Sequence, residues 1–209
     1  RIMRPDDSRL GTEPRSGVCR PSTGYTVPNC YAMGYRYARL GYTTAFEAAT
    51  PILEARHTHE ELAEIPIIDK GALTLFGNNW QVMECVRDKD IPKLAAYVAW
   101  GLRSARGYGV KIVNPGGGEA WGFGANVKSH RDNVPGFDVT PAEIIRGLAE
   151  ANEMLRLPHS IHIHFNNLGK PGNYTTALET LELLKDIKIK PENVIFEVSE
   201  KMAIDNYDL

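Results

Sequence analysis

The 209-residue chain has little cysteine, little charge imbalance and no long apolar run. Its three cysteines, Cys19, Cys30 and Cys85, are odd in number and lack C-x-x-C spacing, which argues against a disulfide framework or a cysteine-built zinc site. A net charge of −2 gives no reason to expect nucleic acid as a partner. No apolar stretch approaches the roughly 18 residues of a membrane span, and residues 1–17 lack the apolar core of a signal peptide, so neither a membrane nor an export route is expected. A reducing cytoplasm is the expected compartment. No G-x-G-x-x-G follows a strand and no Walker sequence occurs. What is present is an ordinary globular composition, 43% hydrophobic and 24% charged, enough for a sizeable core.

Residues 1–28 are rich in Arg, Pro, Ser and Gly without apolar periodicity and read as an extended loop segment. From residue 29 to 209, strand and helix patterns alternate. Strands are expected in YTTAFEAA, GALTLFG, YGVKIVN, SIHIHF and NVIFEV, with helices between them. One helix start is fixed more tightly: Thr140, Pro141 and Glu143 make a T-x-x-E capping box with proline at the first helical position. About five β/α units predict an α/β fold with parallel strands, and a partial TIM-like (β/α) barrel outranks a Rossmann sheet. The glycines of NPGGGEAWGFG lack the spacing of either nucleotide motif, so the stretch is weak as a nucleotide-binding loop.

Lys111 lies inside an apolar strand pattern. A lysine there either escapes to solvent at an edge or strand end, or it is buried and must pair, lose its proton or be chemically modified. His162 and His164 stand two apart on the next predicted strand in the second half and so project from one face. Neutral imidazole is a common metal ligand, and His164, nearer the carboxyl end of the strand, is the better candidate, with His162 one layer deeper. His57 and His59 fall on a predicted helix, where residues two apart diverge, so a shared metal is not expected. A lysine beside strand-end histidines fits a carbamate formed from the unprotonated amine and carbon dioxide, an anionic group able to bridge two cations. The competing chemistry is a Schiff-base lyase using Lys111.

Four long segments, residues 26–51, 53–80, 95–124 and 139–174, resemble the formylmethanofuran dehydrogenase A subunits, a family within the amidohydrolase superfamily. The resemblance implies an amidohydrolase barrel with a dinuclear zinc site, Lys111 as the carboxylated bridging lysine and His164 as a histidine ligand. It implies condensation of formate with the amine of methanofuran, or the reverse hydrolysis. It further implies partner subunits carrying a molybdenum or tungsten pterin and iron-sulfur clusters. The family's first-strand H-x-H pair and last-strand aspartate have no match here, so the chain reads as the middle of a barrel. Metal binding by this polypeptide alone is expected to be poor, and a noncatalytic fragment or split subunit that needs a partner chain is the alternative. Asn114, Asn166 and Asn167, in the loops after the two key strands, are candidate substrate-binding groups.

Overall fold

A computed structural model describes residues 30–167 and 172–196. The expected loop at 1–28, Cys19 and the end of the last predicted strand lie outside the described residues. The chain divides into two compact units, one built from residues up to Thr74 with Ser104–Tyr108, the other from Leu75–Arg103 and Gly109 onward.

In the first unit, α1 (Cys30–Arg39) ends at Gly41, whose φ of 91° is costly for any residue with a Cβ. β1 (Thr44–Thr50) runs parallel to β2 (Asp69–Leu75), with α2 (Ala55–Glu64) between them in sequence. Phe46 faces Gly71 across this pair, and a Cβ on Gly71 would stand 2.5 Å from the Phe46 ring. The glycine makes room for the aromatic side chain. Leu62, Ile65, Ile68 and Ala72 form the core, with Cys30, Tyr37, Ala38 and Ala45 packed against it. Burial raises the Cys30 thiol pKa, and the nearby carboxylates of Glu61 and Glu64 add to the effect. Less thiolate is then present at a given pH. Alkylation of Cys30 by iodoacetamide at pH 8 is therefore expected to be slower than that of an unhindered peptide thiol, as peptide mass spectrometry would measure.

The second unit carries α3 (Trp80–Arg87), most of α4 (Ile91–Ala105), β3 (Val110–Val113), α5 (Gly117–Gly122), α6 (Pro141–Leu155), β4 (Ile161–His164), α7 (Tyr174–Asp186) and β5 (Val194–Phe196). β3, β4 and β5 are parallel neighbours in that order. Parallel strands alternating with helices give the α/β class that the sequence pattern predicts. The capping box forms: Thr140 Oγ1 accepts from the Glu143 amide at 3.3 Å, and Glu143 Oε2 accepts from the Thr140 amide at 2.8 Å. From this start α6 buries Ile144, Ile145, Leu148 and Ala151. Gly147 lets it come close to its neighbours, since a Cβ there would stand 2.9 Å from Val86 on α3 and 3.2 Å from Leu94 on α4.

The glycine-rich stretch contains the short helix α5. Glycine is a poor helix former, so local pattern gives no hint of it. Tertiary contacts hold it: Ala120 is fully buried, Gly116 takes the left-handed conformation at its start, and Asn78 Oδ1 accepts from the Gly118 amide at 3.0 Å.

Candidate functional site

On β3 and β4 the pairing register sets Lys111 beside His162 and Val113 beside His164. Register partners in a parallel pair share a face, as do residues two apart on one strand, so Lys111, Val113, His162 and His164 all project to one side. Val110, Ile112, Ile161 and Ile163 occupy the other side and are buried. The two faces thus differ in chemistry, one aliphatic and one carrying an amine and two imidazoles.

Lys111 is 0% exposed. This settles the choice left open by sequence: the side chain neither lies at a solvent edge nor snorkels out. His162 and His164 are half-buried on the same face. Thus the structure brings together the three residues expected to take part in metal chemistry.

The loops beyond these strands are tied by asparagines. The Asn114 amide closes the end of β3 by donating to the His164 carbonyl at 3.0 Å. Asn166, 1% exposed, donates its side-chain amide to Asn114 Oδ1 at 3.0 Å and to the Pro115 carbonyl at 3.1 Å. Asn167 donates to the Lys128 carbonyl. Asn114 and Asn167 both have positive φ, 43° and 59°, a conformation that asparagine tolerates better than most residues. The three candidate substrate-binding groups are therefore gathered at the carboxyl ends of β3 and β4, with the side-chain donors of Asn166 and Asn167 engaged in holding the two loops. Gly117 belongs to the same arrangement, since a Cβ there would collide with the Asn114 side chain. Asn166→Ala leaves one buried and one half-buried acceptor without this donor, and a loss of about 1–3 kcal/mol is expected, measurable as a lower urea midpoint.

Two site-adjacent groups escaped the sequence reading. Asn78 donates to the Val113 carbonyl at 2.7 Å while accepting from Gly118, linking the end of β3 to α5. His130 is buried, with Nδ1 2.7 Å from Glu179 Oε2 on α7. Its partner is 49 residues away, so no short motif points to it. His57 is exposed on α2, and His59 Nε2 lies 2.8 Å from the Ala105 carbonyl.

Among the described residues, no three His, Cys, Asp or Glu side chains are grouped so as to hold a metal ion. Lys111 and His164 by themselves are one short of the three protein ligands that a catalytic zinc site uses.

The amidohydrolase family model matches residues 11–203. The chain belongs to the amidohydrolase family. It is 56% identical over 191 residues to Protein FwdA of Methanocaldococcus jannaschii, covering 91% of this chain and 34% of that protein. It is 38% identical over 158 residues to the A component of the formyltransferase/hydrolase complex Fhc of Methylorubrum extorquens, covering 75% of this chain and 29% of that one. Among solved structures, the crystal structure of the FhcABCD complex from Methylorubrum extorquens with methylofuran matches with a TM-score of 0.77 at 32% identity, over 91% of this chain and 34% of that chain. These relatives support the resemblance to formylmethanofuran dehydrogenase A subunits read from the sequence. The chain spans about a third of the length of the relatives it matches. No helix among the described residues of this amidohydrolase is long and apolar enough to cross a membrane.

Proposed function

We propose that this amidohydrolase chain is part of a formylmethanofuran dehydrogenase A subunit that joins formate to the amine of methanofuran or hydrolyses the product. The complete burial of Lys111, on the same strand face as His162 and His164, carries this reading. A lysine so placed suits carbamate formation: the neutral amine attacks carbon dioxide, an N–C bond forms, and one proton leaves. Burial favours the neutral amine needed for that attack. The resulting carboxylate and the His164 imidazole would hold zinc, with His162 orienting its neighbour from one layer deeper. Zinc bound there would supply the Lewis acidity that polarises a formyl oxygen. Its remaining ligands would come from the part of the relatives' length that this chain does not span, so the chain alone would bind metal poorly.

Within this reading, the Asn114–Asn166 tie fixes the loops around the strand ends and keeps the site in one geometry. Partners would be the other subunits of a complex of the FhcABCD kind, those with redox centres being molybdenum or tungsten pterin and iron-sulfur proteins, in a reducing cytoplasm. A Schiff-base lyase would use the same buried amine but leaves both histidines without a task; borohydride with substrate would not label Lys111 if the amidohydrolase reading holds. The direct test is elemental analysis of the full-length chain in its complex. Zinc that is removed by a chelator together with hydrolysis of N-formyl amines is the expected result, and hydrolysis by metal-free protein would contradict it.

A further inference from the structure

Between α5 and α6, the chain makes a tight turn at residues 128–132 that closes largely on itself. Asp132 Oδ2 accepts from the Lys128 amide at 2.8 Å and from the Ser129 amide at 3.0 Å, and Ser129 Oγ accepts from the Arg131 amide at 3.2 Å. Short polar side chains that take up nearby amides in this way can build a turn without outside help. Such a turn needs no buried histidine, yet His130 within it is only 7% exposed.

The imidazole has a specific partner. Nδ1 lies 2.7 Å from Glu179 Oε2 on α7, and because an ionised carboxylate only accepts, Nδ1 carries the hydrogen. The Glu179 side chain is 43% exposed. The pair thus joins the segment after β3 to the helix after β4. Two further contacts fasten the turn: the His130 carbonyl accepts from the Ala142 amide in the first turn of α6 at 2.9 Å, and the Lys128 carbonyl accepts from the Asn167 side chain. Asn167 stands three residues after His164 and directly after Asn166, which ties the same loop to Asn114 and Pro115. A path of two hydrogen bonds and a short stretch of backbone therefore runs from Glu179 through His130 and Lys128 to Asn167.

From these contacts we propose that His130 and Glu179 are positioning residues for the candidate site: they clamp the turn to α7 and so hold the loop after His164, with Asn166 and Asn167, in one arrangement for substrate. A buried N–H that loses its acceptor is costly, so the imidazole would turn outward to water and the turn carrying Lys128 would move with it. Glu179 touches no ligand and acts through His130. That the arrangement serves an N-formyl amine rests on the function proposed above, whereas the clamp rests on the contacts alone.

Glu179→Leu and Glu179→Gln in the full-length chain within its complex test the clamp, by amide hydrogen exchange and by steady-state hydrolysis of N-furfurylformamide. Leucine removes the acceptor, and glutamine keeps one for the His130 N–H. Glu179→Leu is expected to speed exchange in the 128–132 turn and at Asn166 and Asn167. It should also raise KM about three- to tenfold with kcat nearly unchanged, as for a lost, half-exposed hydrogen bond to a charge that serves binding alone. Glu179→Gln should restore both readouts to near the parent values, and zinc content should be the same in all three proteins. Unchanged exchange at Asn166 and Asn167 with unchanged KM in Glu179→Leu would reduce the pair to local packing and overturn the proposal. So would an equal rise in KM for both variants, which would trace the effect to the charge rather than to the hydrogen bond. A parent complex that hydrolyses no N-formyl amine would contradict the proposed function and leave the clamp to be judged by exchange: faster rates in Glu179→Leu but not in Glu179→Gln support it, and equal rates overturn it.

Discussion

Lys111→Met in the full-length chain is expected to abolish zinc binding and lower turnover more than about a hundredfold, since changes to groups that only orient a metal ligand already cost roughly 10–100-fold. Methionine reproduces much of the aliphatic stem and asks for no polar partner, so the site, 0% exposed in the parent, can stay filled. Swaps of similar volume in a core usually cost less than about 1.5 kcal/mol. The variant should therefore unfold at nearly the same denaturant concentration as the metal-free parent. Comparing metal-free proteins matters, because bound metal stabilises the parent by mass action and would mimic a folding defect. Elemental analysis, turnover and urea denaturation on the same preparation check all three statements. Activity near the parent level would show that the buried amine has no chemical part.

Leu148→Ala is expected to do the opposite, costing about 2–5 kcal/mol of stability. Leu148 is 0% exposed on α6, and the same helix buries Ile144 and Ile145. Gly147 beside it already lets α6 pack closely against Val86 and Leu94, which leaves the helices little room to collapse into the space a leucine vacates. The loss should register as a lower midpoint in urea with the slope unchanged. If the protein survives this change, zinc content and the register-defined site on β3 and β4 should be retained in the folded fraction.

These two outcomes reflect different kinds of information in the sequence. The α6 core was legible because its start is chemically marked by Thr140, Pro141 and Glu143, and its apolar residues recur at helical spacing. The Lys111 site was legible for a related reason: strand alternation puts His162 and His164 on one face, and the register then adds Lys111 to it. Burial of the lysine could not be read locally, because it depends on what covers the strand. The helix in NPGGGEAWGFG was missed because tertiary contacts from Asn78 override glycine's reluctance. The asparagine ties were half seen. Their positions after the strands suggested a role in the site, but only coordinates show that the Asn166 donors go to Asn114 and Pro115. His130 with Glu179 and Trp80 with Glu119 join residues 49 and 39 positions apart, separations at which a single sequence carries no pairing signal.

The most direct measurement is carbon-13 NMR of the full-length chain in its complex after equilibration with labelled bicarbonate, with Lys111→Met as the control. A carbamate resonance present in the parent, absent from the variant and lost together with zinc on chelation is the predicted result. A zinc-loaded, active parent that takes up no label at Lys111 would contradict the account.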